Sequence, residues 1–213
     1  KLRFRERLGY GLGDTASNFF FQTFNIFLLY YYTDVFGISA AAVGTLFFVS
    51  KLWDAVNDPL MGIISDRTET RFGKFRPYLL WMAIPYGVMG YLMFANPDFD
   101  ESGKLIYAWV TYSLMMMLYT AINVPYSALM GVMTPYSTER TILSSFRFIG
   151  AFGGGLLISS LVRPMVRYFG VEDEATGFQI TMAIFAVVSI LLFWTTFATT
   201  KERVKVTERS EEH

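Results

Sequence analysis

Two carboxylates with helical spacing are the residues of this 213-residue sequence best suited to bind or transfer a cation. In the run from Lys51 to Pro59, Asp54 and Asp58 are four residues apart, so a helix places both on one face, flanked by Lys51 and Asn57. Two carboxylates on adjacent turns repel each other, and they cannot both stay ionised without a counter-charge. A bound hard cation, a proton shared by the pair, or an ion pair with Lys51 would supply that charge. The pattern predicts a cation site, with the ion pair as its structural alternative.

Polar side chains with helical spacing occur in three further places. On an ideal helix, four residues form a stripe within an arc of about 80°: Asp14, Asn18, Gln22 and Asn25. Hydroxyl and amide groups that suit ligand hydroxyls recur at Tyr119, Thr120, Asn123, Tyr126 and Ser127. The stripe could bind a ligand or simply hydrogen-bond to neighbouring helices. The lone cation Arg147 could hydrogen-bond to ligand hydroxyls or pair with a carboxylate of the Asp54 and Asp58 pair.

The composition indicates what kind of element carries these residues. The chain is 53% hydrophobic, 18% aromatic and only 17% charged, which is more apolar surface than one soluble core of this size can cover. A net charge of zero gives no basic surface for nucleic acid. The absence of cysteine and the single histidine, His213, exclude a disulfide framework and a cysteine or histidine metal cluster. We therefore expect an integral membrane protein with no nucleic-acid partner, no cofactor and no enzymatic activity.

Six segments have the length and apolar character of membrane-spanning helices, which need about 20 residues. They are residues 12–36, 40–64, 77–95, 105–133, 142–168 and 178–199, here called the first to sixth spans. Spans one, two, four and five carry the polar candidates, whereas spans three and six have no charged residue. Polar groups in a bilayer face a bundle interior or a watery cavity. The repeated order of two lining helices and one outer helix is typical of the inverted three-helix repeats of transporters.

Basic residues predict the orientation of the bundle, because Lys and Arg in short loops stay on the cytoplasmic side. Most of the 18 basic residues lie in the N-terminal arm, in the loops after spans two and four, and in a tail that ends beyond Arg209. The opposite side has Lys104, Arg163 and Arg167. Both termini are therefore predicted to be cytoplasmic. Because the chain starts at Lys1 without a charged and then apolar leader, we expect a trimmed N-terminus and no signal peptide.

Several stretches resemble the glycoside–pentoside–hexuronide:cation symporters, the family of the melibiose carrier in the major facilitator superfamily. They are residues 30–34, 53–62, 71–77 and 119–125, and the loop 62–76 is similar to the cytoplasmic signature of that superfamily. The resemblance implies that residues 1–203 are the six-helix N-terminal half of a twelve-span fold. Residues 204–213 would then begin the linker to a C-terminal half, in the same chain or in a second one. It also implies a bacterial cytoplasmic (inner) membrane.

The resemblance also implies roles for individual residues. A sodium site would be formed by Asp54, Asn57, Asp58 and Thr120, with the ion at Asp54 and Asp58. Together with the polar stripe, it predicts substrate binding by Asn18, Gln22, Asn25, Tyr119, Asn123, Ser127 and Arg147. The conformational motif on the cytoplasmic side would comprise Gly62, Asp66, Arg67, Arg71, Gly73, Lys74 and Arg140.

The function implied by the resemblance is symport of a sugar or glycoside with Na⁺ or H⁺ by alternating access. Where the melibiose carrier has acids on its first and fourth helices, this chain has Asn18 and Asn123, so a uronide or a pentoside is expected in preference to melibiose. A lipid or lysolipid carrier on the same scaffold is an alternative, although the polar stripe argues against an apolar cavity. A membrane sensor or structural protein that does not transport is another.

Overall fold

The computed structural model describes residues 1–205, which are helical with no β-strand beyond an isolated bridge between Thr70 and Gly73. The predicted tail from residue 204 lies mostly outside the described residues, as do Arg209 and His213. The helices are α1 (Phe4–Thr23), α2 (Ala40–Asp66), α3 (Arg76–Trp81), α4 (Ala83–Met93), α5 (Glu101–Met133), α6 (Ser137–Phe169) and α7 (Glu174–Thr199). Two π-helical segments, Phe24–Leu28 and Tyr31–Val35, continue α1.

The all-helical six-span bundle predicted from the sequence is confirmed, with two spans that are divided. The first span consists of α1 and the two π-helical segments, and the third is divided at Met82 between α3 and α4. Pro85 explains the second division, because it has no N–H to bond the Trp81 carbonyl one turn earlier. Among residues 1–205, α5, α6 and α7 are long and apolar enough to cross a membrane by length and composition alone. The second span, α2, has the length but carries Lys51, Asp54 and Asp58.

Capping residues explain why several helices begin at a particular residue. The side chains of Ser39 and Asp100 accept hydrogen bonds from backbone N–H groups in the first turns of α2 and α5. Asp173 accepts bonds from two N–H groups at the start of α7. The helix α5 begins at Glu101, four residues before the predicted span, because Asp100 extends the helix into the polar connection.

Helix α1 lies at the centre of the bundle and packs against α6 and α7, while α2 packs against α5 and α4 packs against both α5 and α7. Glycine permits the contact between α1 and α6: a Cβ atom on Gly150 would lie 2.2 Å from the carbonyl oxygen of Gly11. The absence of a side chain at Gly150 therefore permits the close approach of α1 and α6. Any larger side chain at this point would push the two helices apart.

A reciprocal pair of tyrosines joins α1 to α5. The Tyr10 hydroxyl donates to the Tyr126 carbonyl at 3.1 Å, and the Tyr126 hydroxyl donates to the Tyr10 carbonyl at 2.5 Å. Both side chains are fully buried, and their rings stack with centroids 4.8 Å apart. Each hydroxyl is thereby satisfied without water, as an apolar interior requires. The pair fixes the position of α1 along the axis of α5.

The bundle has two ends that differ in their contacts. The terminal end, defined by residues 1–8, 66–76, 132–140 and 197–205, brings both ends of the described chain together through ion pairs. The far end, defined by residues 26–39, 94–104 and 162–178, is built on aromatic side chains. There Tyr31 contacts Phe36, Phe94 and Phe178, and its hydroxyl donates to the Phe94 carbonyl at 2.9 Å.

Candidate functional site

A cavity of about 400 Å³ between α2 and α5 brings together both carboxylates predicted to bind a cation. Asp54 and Asp58 reach it from adjacent turns of α2, and Thr120 reaches it from α5. The Thr120 hydroxyl is buried and donates to an Asp58 carboxylate oxygen at 2.8 Å. The remaining lone pairs of Asp58 and of the threonine oxygen stay free to meet a cation. Three of the four predicted cation-site residues therefore converge on one cavity.

The fourth predicted cation residue, Asn57, does not line this cavity. It directly precedes Asp58, so its side chain leaves α2 about 100° away from that of Asp58. Its amide nitrogen is buried and has no hydrogen-bond partner among residues 1–205. An amide nitrogen cannot ligate a cation, so Asn57 could contribute only through its carbonyl oxygen.

The alternative ion pair of Lys51 is also present, in a weak form. The Lys51 ammonium lies 4.0 Å from an Asp54 carboxylate oxygen, and the lysine side chain is 73% exposed. Such exposed pairs contribute about 0–1 kcal/mol. Lys51 therefore offsets part of the charge of Asp54. Asp58 has only the uncharged Thr120 hydroxyl as a partner, so its charge is not offset.

The described residues contain no group of three or more His, Cys, Asp or Glu side chains close enough to hold a metal ion. Any cation in the α2–α5 cavity would depend on two carboxylates and neutral oxygens. That donor set suits a hard monovalent cation or a proton better than a transition metal, which prefers nitrogen or sulfur ligands.

Three of the predicted substrate residues line the same cavity as the carboxylates: Tyr119, Asn123 and Ser127 on α5. The Asn123 amide donates to the Tyr119 carbonyl at 3.0 Å, and its oxygen accepts from the Ser17 hydroxyl at 2.9 Å. The Tyr119 ring stacks on Phe21 of α1 with centroids 5.7 Å apart. A flat aromatic surface beside amide and hydroxyl groups can hold a sugar ring by its apolar face and its hydroxyls.

Two residues of the polar stripe, Asn18 and Gln22, line a separate cavity of about 270 Å³ between α1 and α6. The Asn18 amide donates to the Asp14 carbonyl at 2.8 Å. Asn25 lies in the first π-helical segment and is exposed. Because a π-helical turn holds more residues than an α-helical turn, side chains beyond Thr23 no longer follow the spacing assumed for the stripe. The stripe as predicted therefore ends at Gln22.

Arg147 pairs with Asp14, and the alternative of a second-span partner is wrong. Its guanidinium donates to the two Asp14 carboxylate oxygens at 2.6 and 3.4 Å. It also lies over the Tyr126 ring, 4.8 Å from the centroid. Asp14 lies three residues after Gly11, and Arg147 lies three residues before Gly150, so the crossing of α1 and α6 at these two glycines brings Arg147 to α1 and not to α2. A buried charge needs an opposite charge in the bundle, and Asp14 was available in the first span.

The predicted conformational motif surrounds the connection between α2 and α3 at the terminal end. Gly73 has φ +109°, a conformation that favours glycine, and a Cβ atom there would lie 2.5 Å from the Glu202 carboxyl carbon. Lys74 donates from its ammonium to the Asp66 carbonyl at 3.0 Å. Gly62 has open space around it, whereas Asp66, Arg67 and Arg71 are exposed. Arg140 lies at the other connection of this end and donates to the carbonyls of Thr134 and Pro135.

Glu202, which the sequence analysis missed, organises this motif. Its carboxylate accepts backbone hydrogen bonds from Lys74, Phe75 and Arg76 at 2.9, 2.8 and 3.0 Å. These N–H groups lie at the beginning of α3, where unpaired donors attract an anion. The chain that follows the sixth span therefore holds the loop that precedes the third. An acid just after an apolar span was the available signal, but nothing in the sequence connects it to residue 74.

Two ion pairs complete the terminal end, and the sequence analysis missed both. Arg203 pairs with Glu6 at 2.5 Å and Arg7 pairs with Glu139 at 3.0 Å. Burial raises the pKa of Glu6, but hydrogen bonds from the Arg3 N–H and the Arg203 guanidinium outweigh it and hold that pKa below its ordinary value. Glu6 is therefore ionised and paired at neutral pH.

Comparison with known proteins places this geometry in a family. Residues 9–213 match the MFS/sugar transport protein family. A protein of Escherichia coli (strain K12) named as a candidate glycoside/cation symporter is 49% identical over 95% of this chain and 44% of its own length. The isoprimeverose transporter of Lactiplantibacillus pentosus is 42% identical over 95% of this chain and 43% of its own length.

A glucuronide carrier protein homolog of Escherichia coli (strain K12) is 34% identical over 96% of this chain and 45% of its own length. The chain thus spans less than half the length of each of these relatives. The match covers every residue that lines the α2–α5 cavity, and it covers the terminal end except for residues 1–8. The chain belongs to the MFS/sugar transport protein family.

Proposed function

We propose that this chain is the N-terminal half of a secondary transporter that carries a sugar or glycoside together with Na⁺ or H⁺. The observation that carries the proposal is the shared cavity: Asp54 and Asp58 lie beside Tyr119 and Asn123 in one space of about 400 Å³. The carboxylates that could bind a cation therefore line the same cavity as the side chains that could bind a sugar ring. The names of the relatives, which include a transporter and a carrier homolog of sugars, support it.

The coupling cation binds at Asp54 and Asp58 in this proposal. Their mutual repulsion in a low-dielectric bundle favours a bound cation or proton, and Lys51 is too exposed to replace it. Thr120 holds Asp58 in place through its hydroxyl at 2.8 Å and adds a neutral oxygen. The carbonyl oxygen of Asn57 joins the site if its side chain turns toward the cavity.

Coupling requires only that each ligand raises the affinity for the other. A cation neutralises the carboxylates and so removes a desolvation cost that the substrate would otherwise meet in the same cavity. Thr120 bonds Asp58 while the adjacent Tyr119 lines the substrate side, so α5 connects the two ligands directly. No bond is made or broken in the substrate, and the carrier is not an enzyme.

The substrate side suits a neutral or acidic sugar better than a cavity with more carboxylates would. Asn123 and Ser127 are uncharged, whereas an acid at either position would repel an anionic sugar. Arg147 is already paired with Asp14, so it offers a substrate only part of its donor set. We propose a uronide or a pentoside, and the names of relatives that carry isoprimeverose or are homologous to a glucuronide carrier agree with that choice.

The working carrier requires a C-terminal half, in the same chain or in another, because the polar groups of the α2–α5 cavity, among them Lys51 with its side chain 73% exposed, would otherwise face lipid. Residues 1–203 form the N-terminal domain of that carrier, and residues 204–213 begin the connection between the halves. The protein resides in a bacterial cytoplasmic membrane with the terminal end inside. The basic residues of that end support this orientation.

Uptake of a labelled uronide or pentoside into membrane vesicles that contain the full-length protein tests the proposal. Asp58→Asn should abolish stimulation by a sodium or proton gradient, while the protein still inserts. Thr120→Val keeps the shape but loses the hydrogen bond to a charged group, and it should raise the half-saturating cation concentration by about 10- to 100-fold. Asp98→Asn, which changes an exposed acid at the far end, is the control. Gradient-driven uptake that persists in Asp58→Asn refutes the assignment.

A further inference from the structure

A cavity of about 300 Å³ at the far end carries two arginines that the proposed transport cycle does not use. Arg163 and Arg167 line it from α6, and Glu174 lines it from the first turn of α7. The two arginines are four residues apart, so their side chains leave the same face of α6 about 5–6 Å apart. That spacing lets two guanidinium groups reach one phosphate-sized anion.

Neither arginine has a partner in the described part of the chain. The ion pairs within 4.0 Å among residues 1–205 involve other residues. The carboxylate of Glu174 is instead held by the Tyr30 hydroxyl, which donates to both of its oxygens at 2.9 and 3.0 Å. The third basic residue of this end, Lys104, donates to the Phe36 carbonyl at 3.2 Å. Among the basic residues of the far end, Arg163 and Arg167 are thus the two whose side chains form no ion pair or hydrogen bond within residues 1–205.

Apart from the Tyr30 hydroxyl, the remaining walls of the cavity are apolar. Ile26 and Phe27 come from the end of the first span, Val162 from α6, and Phe178 from α7. Arg163 lies six residues before the end of α6, about 9 Å along the helix from that end. A ligand that satisfies both parts of the cavity has an anionic head and an apolar tail.

We propose that this cavity binds the phosphate ester of an anionic phospholipid, with the phosphate between Arg163 and Arg167 and the first methylene groups of an acyl chain against Phe27 and Phe178. Arginine suits a phosphate because its planar fork donates two parallel bonds. Basic pockets between membrane helices on the cytoplasmic side bind lipid head groups in this way, and the far end offers the same donors on the opposite side. The apolar walls identify a lipid, rather than free phosphate, as the source of the anion. The site is separate from the α2–α5 cavity, so it does not depend on the proposed transport function.

Titration of the purified full-length protein with short-chain phosphatidylglycerol, monitored by native mass spectrometry, tests this site. Arg163→Gln and Arg167→Gln should each weaken binding about fivefold. Arg163→Lys, which keeps the charge but loses the planar fork, should weaken binding less than Arg163→Gln. Lys104→Gln is the matched control, because it removes one positive charge from the same end but from a side chain that is already bonded. Unchanged thermal unfolding of the glutamine variants would show that they fold.

Two competitor ligands distinguish the sources of the anion. Phosphatidylcholine of the same chain length has a neutral head group and should bind at least several-fold more weakly than phosphatidylglycerol. Inorganic phosphate should not displace the lipid at equal concentration. Displacement by inorganic phosphate would overturn the assignment to a lipid, and equal binding of phosphatidylglycerol to wild type, Arg163→Gln and Arg167→Gln would overturn the site itself.

Discussion

Replacing Glu202 by glutamine is a minimal change with a calculable effect, because the two side chains have the same shape. One Glu202 oxygen accepts from the Phe75 and Arg76 N–H groups, and the other accepts from the Lys74 N–H. In Glu202→Gln the first oxygen can remain an acceptor, whereas the second becomes an amide nitrogen that faces another donor. One bond is lost outright, and the two others lose the assistance of the negative charge.

The size of the effect follows from these three bonds. A hydrogen bond to a charged group contributes about 1.5–3 kcal/mol, against about 1 kcal/mol for a neutral one. At the lower limits, the lost bond removes about 1.5 kcal/mol and each weakened bond about 0.5 kcal/mol, so the free energy of unfolding should fall by about 2.5 kcal/mol or more. For a domain of this length, 2.5 kcal/mol corresponds to a decrease in the melting temperature of about 5–10 °C.

Thermal unfolding of the purified protein in detergent, followed by circular dichroism, measures this decrease. Glu69→Gln is the matched control, because Glu69 is an exposed acid on the same loop. Limited proteolysis adds a local measurement: the loop 67–75 should be cleaved faster in Glu202→Gln than in the control. Equal melting temperatures and equal cleavage in Glu202→Gln and Glu69→Gln would show that the three bonds do not hold the loop.

Three further predictions concern transport and pH. The half described here should not accumulate sugar when reconstituted alone, since the polar groups of its cavity would face lipid or an open groove; accumulation without a crosslinkable dimer would contradict this. Asn18→Asp combined with Asn123→Asp should depress binding of an acidic sugar more than of a neutral one, and melibiose competing best on wild type in displacement assays would overturn the reasoning. Because the pKa of Glu6 is held below 4.5, its ion pair stabilises the fold at neutral pH and loses that effect as pH falls through the lowered pKa. Glu6→Gln should therefore flatten the acid side of a plot of melting temperature against pH, and identical slopes for variant and wild type would argue against it.

The parts of the fold that depend on local composition could be predicted from the sequence. Long apolar runs identified the six spans, and the spacing of Asp54 and Asp58 placed both in one cavity, because helical geometry alone decides which side chains share a face. Thr120 was assigned to the same site through family resemblance, and its bond to Asp58 agrees with that assignment.

The parts that depend on contacts between distant segments could not be predicted. The partner of Arg147 is set by the crossing of α1 and α6, which no local pattern reveals. Glu202 caps α3 from 126 or more residues away. The place of Asn25 could not be predicted either, because the spacing of the polar stripe assumes α-helical turns, whereas Asn25 lies in a π-helical segment.

The reciprocal bonds of Tyr10 and Tyr126 limit how α1 and α5 can move in a transport cycle. Since each hydroxyl depends on the carbonyl of the opposite residue, a slide of one residue, about 1.5 Å, would break both bonds at once and leave two buried hydroxyls without partners. Rotation of the two helices together breaks neither. The tyrosine pair therefore permits this half to tilt as a rigid body, and it resists sliding of α1 along α5.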